Sequence, residues 1–483
     1  MAEEFVDVLV VGAGISGIGA GCHLQKLCPD RSFAIVEARA GLGGTWDLFR
    51  YPGVRSDSDM HTLGYGFRPW TAAKAIADGP TILAYLRDTA REHGLERKIR
   101  FGHKVLRADW SSERAEWRAV VRREDDGSTS TIRCAFLFLC SGYYDYAGGY
   151  QPDFPGQDRY AGRIVHPQSW PEDLDCSGKK VVVIGSGATA VTIVPALAAQ
   201  AEHVTMLQRS PTWMAALPSV DPIGARLRRW LPVRPALAIT RWKNILYGML
   251  VFWLCRHRPQ RMRALLLEGV RDALGPAADV ARDYTPRYNP WEQRLCLVPD
   301  GDFFAAIRTG RASVVTDRIA SFTESGLRLE SGATLEADVV VTATGLVLAI
   351  GSVPLTVDGA SIEPSRTVNY KGLMVCGVPN LASTFGYTNA SWTLKADLTA
   401  RFVCRLLNHM KKTGARQCRA SAPGPDVALL PWVDFSSGYF RRAAERLPKQ
   451  GGVKPWKLNQ NYLADIATLR FGAVDDGILQ FSR

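Results

Sequence analysis

The chain has no C-x-x-C pair, and its ten cysteines show no paired Cys/His spacing of a metal site. That pattern offers neither a bound metal nor a redox pair, and reduced thiols in a cytoplasmic chain are the simplest account. No basic n-region or apolar h-region precedes Phe5, so a secretory signal is not expected. Low-complexity tracts are missing too. The apolar run 246–255 (LYGMLVFWLC) has ten residues, too few for the roughly 20 that cross a bilayer. Acid is the most telling shortage. Between Asp221 and Glu268 there is none, against ten bases: Arg226, Arg228, Arg229, Arg234, Arg241, Lys243, Arg256, Arg258, Arg261 and Arg263. That stretch accounts for most of the net charge of +12. A basic flank on an apolar helix can lie peripherally on an anionic membrane, line a tunnel, or pack on the protein. No nucleic-acid motif accompanies the charge, so nucleic acid is not an expected partner. What remains is ordinary globular composition, 46% apolar and 22% charged, with 483 residues enough for two or three domains.

The first forty residues organise the rest. Phe5 to Val11 (FVDVLVV) is an apolar run that ends at GAGISG, residues 12–17. Apolar and small residues at helical spacing follow, then a second strand, Phe33 to Val36, closed by Glu37. Strand, glycine turn, helix, strand and acid make a dinucleotide-binding unit. Gly12 permits the tight turn, Gly14 lets a pyrophosphate approach the backbone, and Gly17 lets helix and strand pack closely. The open N–H groups at the helix start favour phosphate. Glu37 lies 23 residues past Gly14, where an acid can bond a ribose 2′-OH.

The unit recurs. Lys179 to Ile184 leads into GSGATA, residues 185–190, with Ala190 in the third position, and then a helix from Val191. The next strand, His203 to Leu207, ends at Gln208-Arg209-Ser210. Arg209 is 22 residues past Gly187, nearly the offset of Glu37 from Gly14. A carboxylate suits a free 2′-OH and a guanidinium suits a 2′-phosphate, so FAD is expected in the first unit and NADPH in the second.

Between and after the units, glycines and a Pro-Gly pair mark residues 41–59 as a long loop rather than a helix. Its Trp46 and Tyr51 can wall a planar ring, or pin a surface loop. A helix is predicted over 80–95, and strands over 101–110, 117–121 and 133–140. The linker 160–175 holds His166, read either as a ligand or base or as a hinge residue making one hydrogen bond. Pro290 and Pro299 bracket a turn holding Arg294. Leu394, Leu398, Phe402, Val403, Leu406 and Leu407 form a helical stripe whose start, near 389–392, can point a helix dipole at a flavin.

These motifs resemble the flavin-dependent Baeyer–Villiger monooxygenases, over essentially the whole chain. Gly43-Gly44-x-Trp46 followed by Tyr51-Pro52-Gly53-x-x-x-Asp57 fits the family's loop signature. Residues 160–171 fit its FxGxxxHxxxWP signature except that Tyr160 replaces Phe, and Trp170 stands where related N- and S-oxygenating enzymes usually carry Tyr or Phe. The resemblance implies α/β architecture with two Rossmann-like domains, for FAD and NADP, and a helical, basic insertion in the second. The expected bounds are 1–145 and 341–483 for the two parts of the FAD domain, and 146–340 for the NADP domain, with the insertion at about 221–290. Ser16, Glu37, Thr45, Trp46, Asp47, Leu48, Asp57 and the backbone of Val105 would contact FAD. Arg55, Ser56, Asp57, Gly185, Ser186, Gly187, Ala188, Thr189, Ala190, Val191, Arg209 and Ser210 would contact NADP. Arg294 matches the active-site arginine, with Asp57 orienting it. Many members carry Lys just before that arginine; here it is Gln293, which leaves the 2′-phosphate largely to Arg209.

The implied reaction inserts one oxygen of O2 beside a ketone carbonyl to give an ester or lactone, and also oxygenates sulfur of thioethers or thioamides, a route to prodrug activation. Three rivals stand beside it. A flavin disulfide reductase needs a close redox cysteine pair, and Cys22 and Cys28 lie in or just after the first helix. An N- or S-oxygenating flavin monooxygenase would lack the ketone reaction. A flavin-bound redox sensor would oxygenate nothing.

Overall fold

A computed structural model describes residues 4–350 and 353–483. The β-branched run Glu4–Val11 sits inside a nine-stranded sheet. It pairs in parallel with Phe33–Val36 on one side (Val8 opposite Phe33) and with Thr129–Leu139 on the other (Val11 opposite Leu139). Both faces of these strands are covered, so they read as continuous apolar runs rather than alternating ones. The helix Ile15–Leu27 follows the first glycine turn. His103–Ser111, Glu116–Arg123 and Thr129–Leu139 form an antiparallel meander that joins the parallel strands through the last of the three. Leu381–Ser383 returns to the same sheet beside Leu137–Leu139.

The second sheet has five strands, all parallel, in the order Ala312–Thr316, His203–Gln208, Lys180–Ile184, Val339–Thr342, Arg163–Val165. Val181, Val183, Val339 and Val341 pack with Val191 and Val194 of the helix Ala188–Leu197 in its core. The two sheets with their glycine turns are Rossmann-like, as the repeat implies.

The apolar stripe at 394–407 lies on the buried face of the helix Trp392–Thr413, which packs against Ile15–Leu27. Gly414 ends it in the left-handed region, with φ 71°. Residues 221–290 hold the helices Pro222–Trp230, Val233–His257 and Pro259–Leu274 and the one-turn helix Val280–Asp283. The run 246–255 is therefore part of a longer helix, and among the described residues no helix is long and apolar enough to cross a membrane.

The loop at 41–59 departs from expectation. It holds a one-turn helix, Thr45–Leu48, and a second turn, Met60–Leu63, begins directly after it. Gly43 and Gly44 (φ 126° and 58°) redirect the chain enough to start the first turn. Asp59 caps the second by accepting from the Thr62 N–H at 3.1 Å.

Candidate active site

Both glycine turns open into one cavity of about 910 Å³. At the first turn, a Cβ on Gly12 would lie 2.7 Å from the Cys140 carbonyl oxygen, and one on Gly44 would lie 3.1 Å from the Gly14 Cα. Bare backbone approaches bare backbone there, and the space beside it stays open. Gly14 and Gly187 are the N-caps of their helices, and neither helix start has a side-chain cap. Uncapped N–H groups with a helix dipole behind them form an anion site. Two such ends on one cavity suit two pyrophosphates, so the residues present fit FAD and NADP.

Glu37 is buried at the first turn, its carboxylate accepting from the N–H groups of Ala13 (2.8 Å) and Arg39 (2.9 Å). Burial pushes its pKa up from the usual carboxylate value. Ser16 is buried and accepts from the Trp392 indole at 2.7 Å, which ties the first helix start to the start of the C-terminal helix. Tyr51 and Thr189 of the second turn both line the cavity, and burial pushes the Tyr51 pKa up to about 12. Ser186 donates to the Ser210 carbonyl at 2.9 Å, joining that turn to the end of its neighbouring strand.

Arg294 donates to the Asp57 carboxylate in the cavity wall. The Asp57 charge beside it holds the guanidinium protonated, its pKa well above the ordinary arginine value. Each side chain is about a third exposed, 33% and 38%, and both face the cavity they line. Arg55 also lines the cavity, but its guanidinium is paired with Asp302, with a 3.3 Å bond from Nη2 to Oδ1. Its charge is already balanced by a protein carboxylate.

The structure brings most of the expected residues to this wall: Gly12, Gly14, Ser16, Glu37, Thr45, Trp46, Arg55, Ser56, Asp57, Val105, Ser186, Gly187, Ala188, Thr189, Ser210 and Arg294. Others stand behind it. The backbone at Gly17 touches Gly12, where a Cβ would lie 1.8 Å from its carbonyl oxygen. A Cβ on Gly185 would lie 2.3 Å from the Ala343 carbonyl oxygen. Asp47 is buried and accepts from Arg39 Nη2 at 2.7 Å, and Leu48 is half-buried beside it. Ala190 and Val191 are core residues under the second sheet. Arg209 is exposed, between buried Gln208 and Ser210 in the wall, and finds no carboxylate among the described residues.

His166 makes two hydrogen bonds rather than the single one expected of a hinge residue. Its Nδ1 accepts from the Gln168 N–H at 3.1 Å, so Nε2–H donates to the Gly345 carbonyl at 3.1 Å. Burial lowers its pKa and keeps the ring neutral. Cys28 lies 3.6 Å from the carbonyl oxygen of Cys404 and does not pair with Cys22; all ten cysteines are free and buried.

Sequence reasoning passed over an aromatic wall. Tyr143 and Tyr144 join their hydroxyls at 2.8 Å, and Tyr143 stacks on Trp392 with centroids 5.0 Å apart. Tyr439 lines the same side, beside Gly438 and Ser437; the buried Ser437 hydroxyl has no hydrogen-bond partner among the described residues. A signal was present. Three tyrosines at 143–146 (YYDY) follow directly on the Ser141-Gly142 end of a strand in the first sheet.

Two paired sheets, two uncapped glycine helix ends and an arginine set between them define a flavin- and pyridine-nucleotide-dependent class of enzyme. Residues 76–224 match the model of a flavin-binding monooxygenase-like family, and residues 10–78 match an NAD(P)-binding Rossmann-like domain. The FAD-containing monooxygenase EthA of Mycobacterium tuberculosis is 53% identical over 482 residues, which cover 99% of this chain and 98% of that protein. A solved structure of oxidized steroid monooxygenase bound to NADP is 25% identical with a TM-score of 0.72, covering 86% of this chain and 88% of that one. The open crystal structure of cyclohexanone monooxygenase has a TM-score of 0.75 at 20% identity, over 99% and 100% of the two chains, and shares the fold. The chain belongs to the family of FAD-containing monooxygenases.

Proposed function

We propose that the chain is an FAD- and NADPH-dependent monooxygenase of Baeyer–Villiger type. It would convert a ketone, O2, NADPH and a proton into an ester or lactone, NADP⁺ and water. The observation that carries this reading is a permanent cation, Arg294, held by Asp57 in the wall of a cavity that two uncapped glycine helix ends share.

Bound there, FAD and NADPH supply the electrons that let O2 deliver one oxygen atom. The chain's own residues do the rest. Glu37 is placed to accept from a ribose hydroxyl at the first turn. Ser186 to Thr189 present the second helix start to a phosphate, and Arg209 lies near enough in sequence to serve a 2′-phosphate. The Arg294 guanidinium does not lose its proton near neutral pH, so it stabilises the negative charge that grows on a carbonyl oxygen under attack. Asp57 fixes the guanidinium by a charge-assisted hydrogen bond. Tyr143, Tyr144 and Trp392 narrow the cavity and keep water from the reacting atoms.

The same site would oxygenate the sulfur of thioethers or thioamides, since a soft sulfur needs no carbonyl activation. This follows from the family resemblance that the loop and linker signatures carry. The finer localisation runs along the same line: a cytoplasmic chain whose basic insertion makes peripheral contact with a membrane.

Product analysis tests the reading. The purified yellow protein is given NADPH, O2 and a panel of ketones and sulfides. Esters or lactones formed in step with NADPH loss support it. Sulfoxides without any ester identify an S-oxygenating enzyme, and H2O2 alone identifies a redox protein that oxygenates nothing.

A further inference from the structure

The ten bases of the insertion do not all do the same thing. Five are structural. Arg241 donates to the carbonyl oxygens of His61 (2.6 Å) and Gly64 (2.8 Å), and Lys243 pairs with Asp221 at 2.6 Å. Arg228 donates to the Thr71 carbonyl at 2.8 Å, Arg256 pairs with Asp434 at 3.0 Å, and Arg263 lies over the Trp213 ring at 5.3 Å. The other five, Arg226, Arg229, Arg234, Arg258 and Arg261, are exposed and find no carboxylate among the described residues.

The helix Val233–His257 is docked by one face and apolar on the other. Leu237, Thr240, Ile245 and Cys255 are buried on the docked side, where Asn244 also donates to Asp59 at 3.0 Å. Ile239, Trp242, Leu246, Leu250 and Trp253 recur at three- and four-residue spacing on the opposite face. That face looks outward, with each of the five 43–53% exposed. A surface helix ordinarily turns its polar face to water. The preceding helix continues the pattern with Ile223 and Trp230, the latter 82% exposed.

An apolar outward stripe needs an occupant, and the charge around it selects one. A second copy packed face to face would set the same five arginines against themselves, with no acid between 222 and 267 to relieve them. An anionic lipid surface satisfies both halves at once. Its acyl region takes the stripe, its headgroups take the guanidinium groups, and Trp and Tyr side chains suit the boundary between them. We propose that the outward face of Val233–His257, with Ile223 and Trp230, docks in the plane of an anionic phospholipid monolayer. The proposal rests on the peripheral-contact reading and names the surface that makes the contact. The docked side of the same helix touches the cavity's own wall, since Ile245 packs with Tyr387. Lipid would then lie about one helix diameter, roughly 10 Å, from the site, close enough to supply apolar substrates dissolved in the bilayer.

The test is co-sedimentation of the flavin-loaded full chain with vesicles of phosphatidylglycerol mixed with phosphatidylcholine, and with phosphatidylcholine alone. At about 0.01 M salt the wild type binds the anionic vesicles at least tenfold more tightly. That preference shrinks at about 0.15 M, where the screening length falls from about 30 Å to about 8 Å. A Trp242→Ser, Leu246→Ser, Trp253→Ser variant loses at least tenfold in affinity, and a variant with the five exposed arginines changed to Gln loses the anionic preference. Flavin content and turnover of a water-soluble ketone stay at the wild-type level in both, which shows that they are folded. If the wild type ignores both vesicles at low salt, the peripheral reading fails as a whole. If it binds and the serine variant binds equally well, this face is wrong and another surface makes the contact. If the serine variant instead abolishes a concentration-dependent dimer, a second copy covers the stripe and the lipid assignment falls.

Discussion

Arg294 and Asp57 meet across 237 residues of sequence, the first from a turn after the helical insertion and the second from the loop after the first glycine unit. Their contact joins the part of the chain that holds the second glycine turn to the part that holds the first. The ion pair in the cavity wall therefore forms only when these two parts of the chain are brought together.

Arg294→Ala is expected to leave folding and FAD content largely intact. NADPH should still reduce the flavin, while ester or sulfoxide formation falls by roughly 10²–10³-fold, the usual loss for one preorganised charge stabiliser. Electrons should appear as H2O2 instead. Lys at this position should rescue little, because it is a point charge without the planar fork that meets Asp57. Asp57→Ala should uncouple more mildly. Product formed per NADPH oxidised is the measurement, and wild-type coupling in Arg294→Ala would show that another group stabilises the anion.

Arg209 is exposed and without a carboxylate partner among the described residues. Its guanidinium is free for a 2′-phosphate, whereas Arg55 is held by Asp302. Arg209→Ala should raise KM for NADPH by about tenfold or more, the scale of one charge-assisted contact, and leave KM for NADH nearly unchanged. Arg55→Ala should discriminate less between the two. Steady-state kinetics with both nucleotides separates these cases, and equal losses with both would remove Arg209 from the 2′-phosphate.

His166 gives the fold a pH dependence. Its lowered pKa means that the folded chain binds that proton less readily than the unfolded chain does, whose histidine keeps the ordinary value of 6.5. The stability contributed is fully present above pH 6.5 and is lost as pH falls below it toward the folded pKa. Protonating Nδ1 would also set an N–H against the Gln168 N–H that it now accepts from. His61, buried and likewise lowered, acts in the same direction. His166→Gln should flatten the fall in melting temperature below pH 6.5, by up to one proton's worth, about 1.4 kcal/mol per pH unit. An unchanged pH profile would assign the dependence to other groups.

Lys395 and Asp465 form an ion pair at 2.8 Å with side chains only 1% and 2% exposed. Tyr387, in the cavity wall, donates to the same carboxylate at 2.6 Å. Lys395→Met would leave that carboxylate buried without its cation and should destabilise the chain by about 3–5 kcal/mol. A Lys395→Met, Asp465→Leu pair should recover much of the loss, because no uncompensated charge then remains. Chemical denaturation of the three forms measures both. Equal destabilisation by the single and the double change would mean that packing, and not charge, governs the site.

What the sequence determined by itself is local. The two glycine turns, the acid and the base at matched offsets, the buried stripe at 394–407 and the signature loop and linker all depend on spacings of a few residues to a few tens. Chain geometry over that range is set by glycine conformations and by the periods of strand and helix. The loop at 41–59 was legible as a loop but not in its helical turn at Thr45–Leu48 or the turn at Met60–Leu63 that follows it, which depend on the backbone directions at Gly43 and Gly44 and the cap at Asp59. Tertiary structure decided the rest. It set Arg294 against Asp57, gave Arg55 to Asp302, held His166 neutral between Gln168 and Gly345, and stacked Tyr143 on Trp392 with Tyr144 beside it. It also divided ten similar bases into five that make contacts within the protein and five exposed ones that find no carboxylate among the described residues, and turned the apolar stripe of Val233–His257 outward. A periodic pattern tells which residues share a face. Only the packing of segments hundreds of residues apart decides whether that face meets the protein or the surroundings.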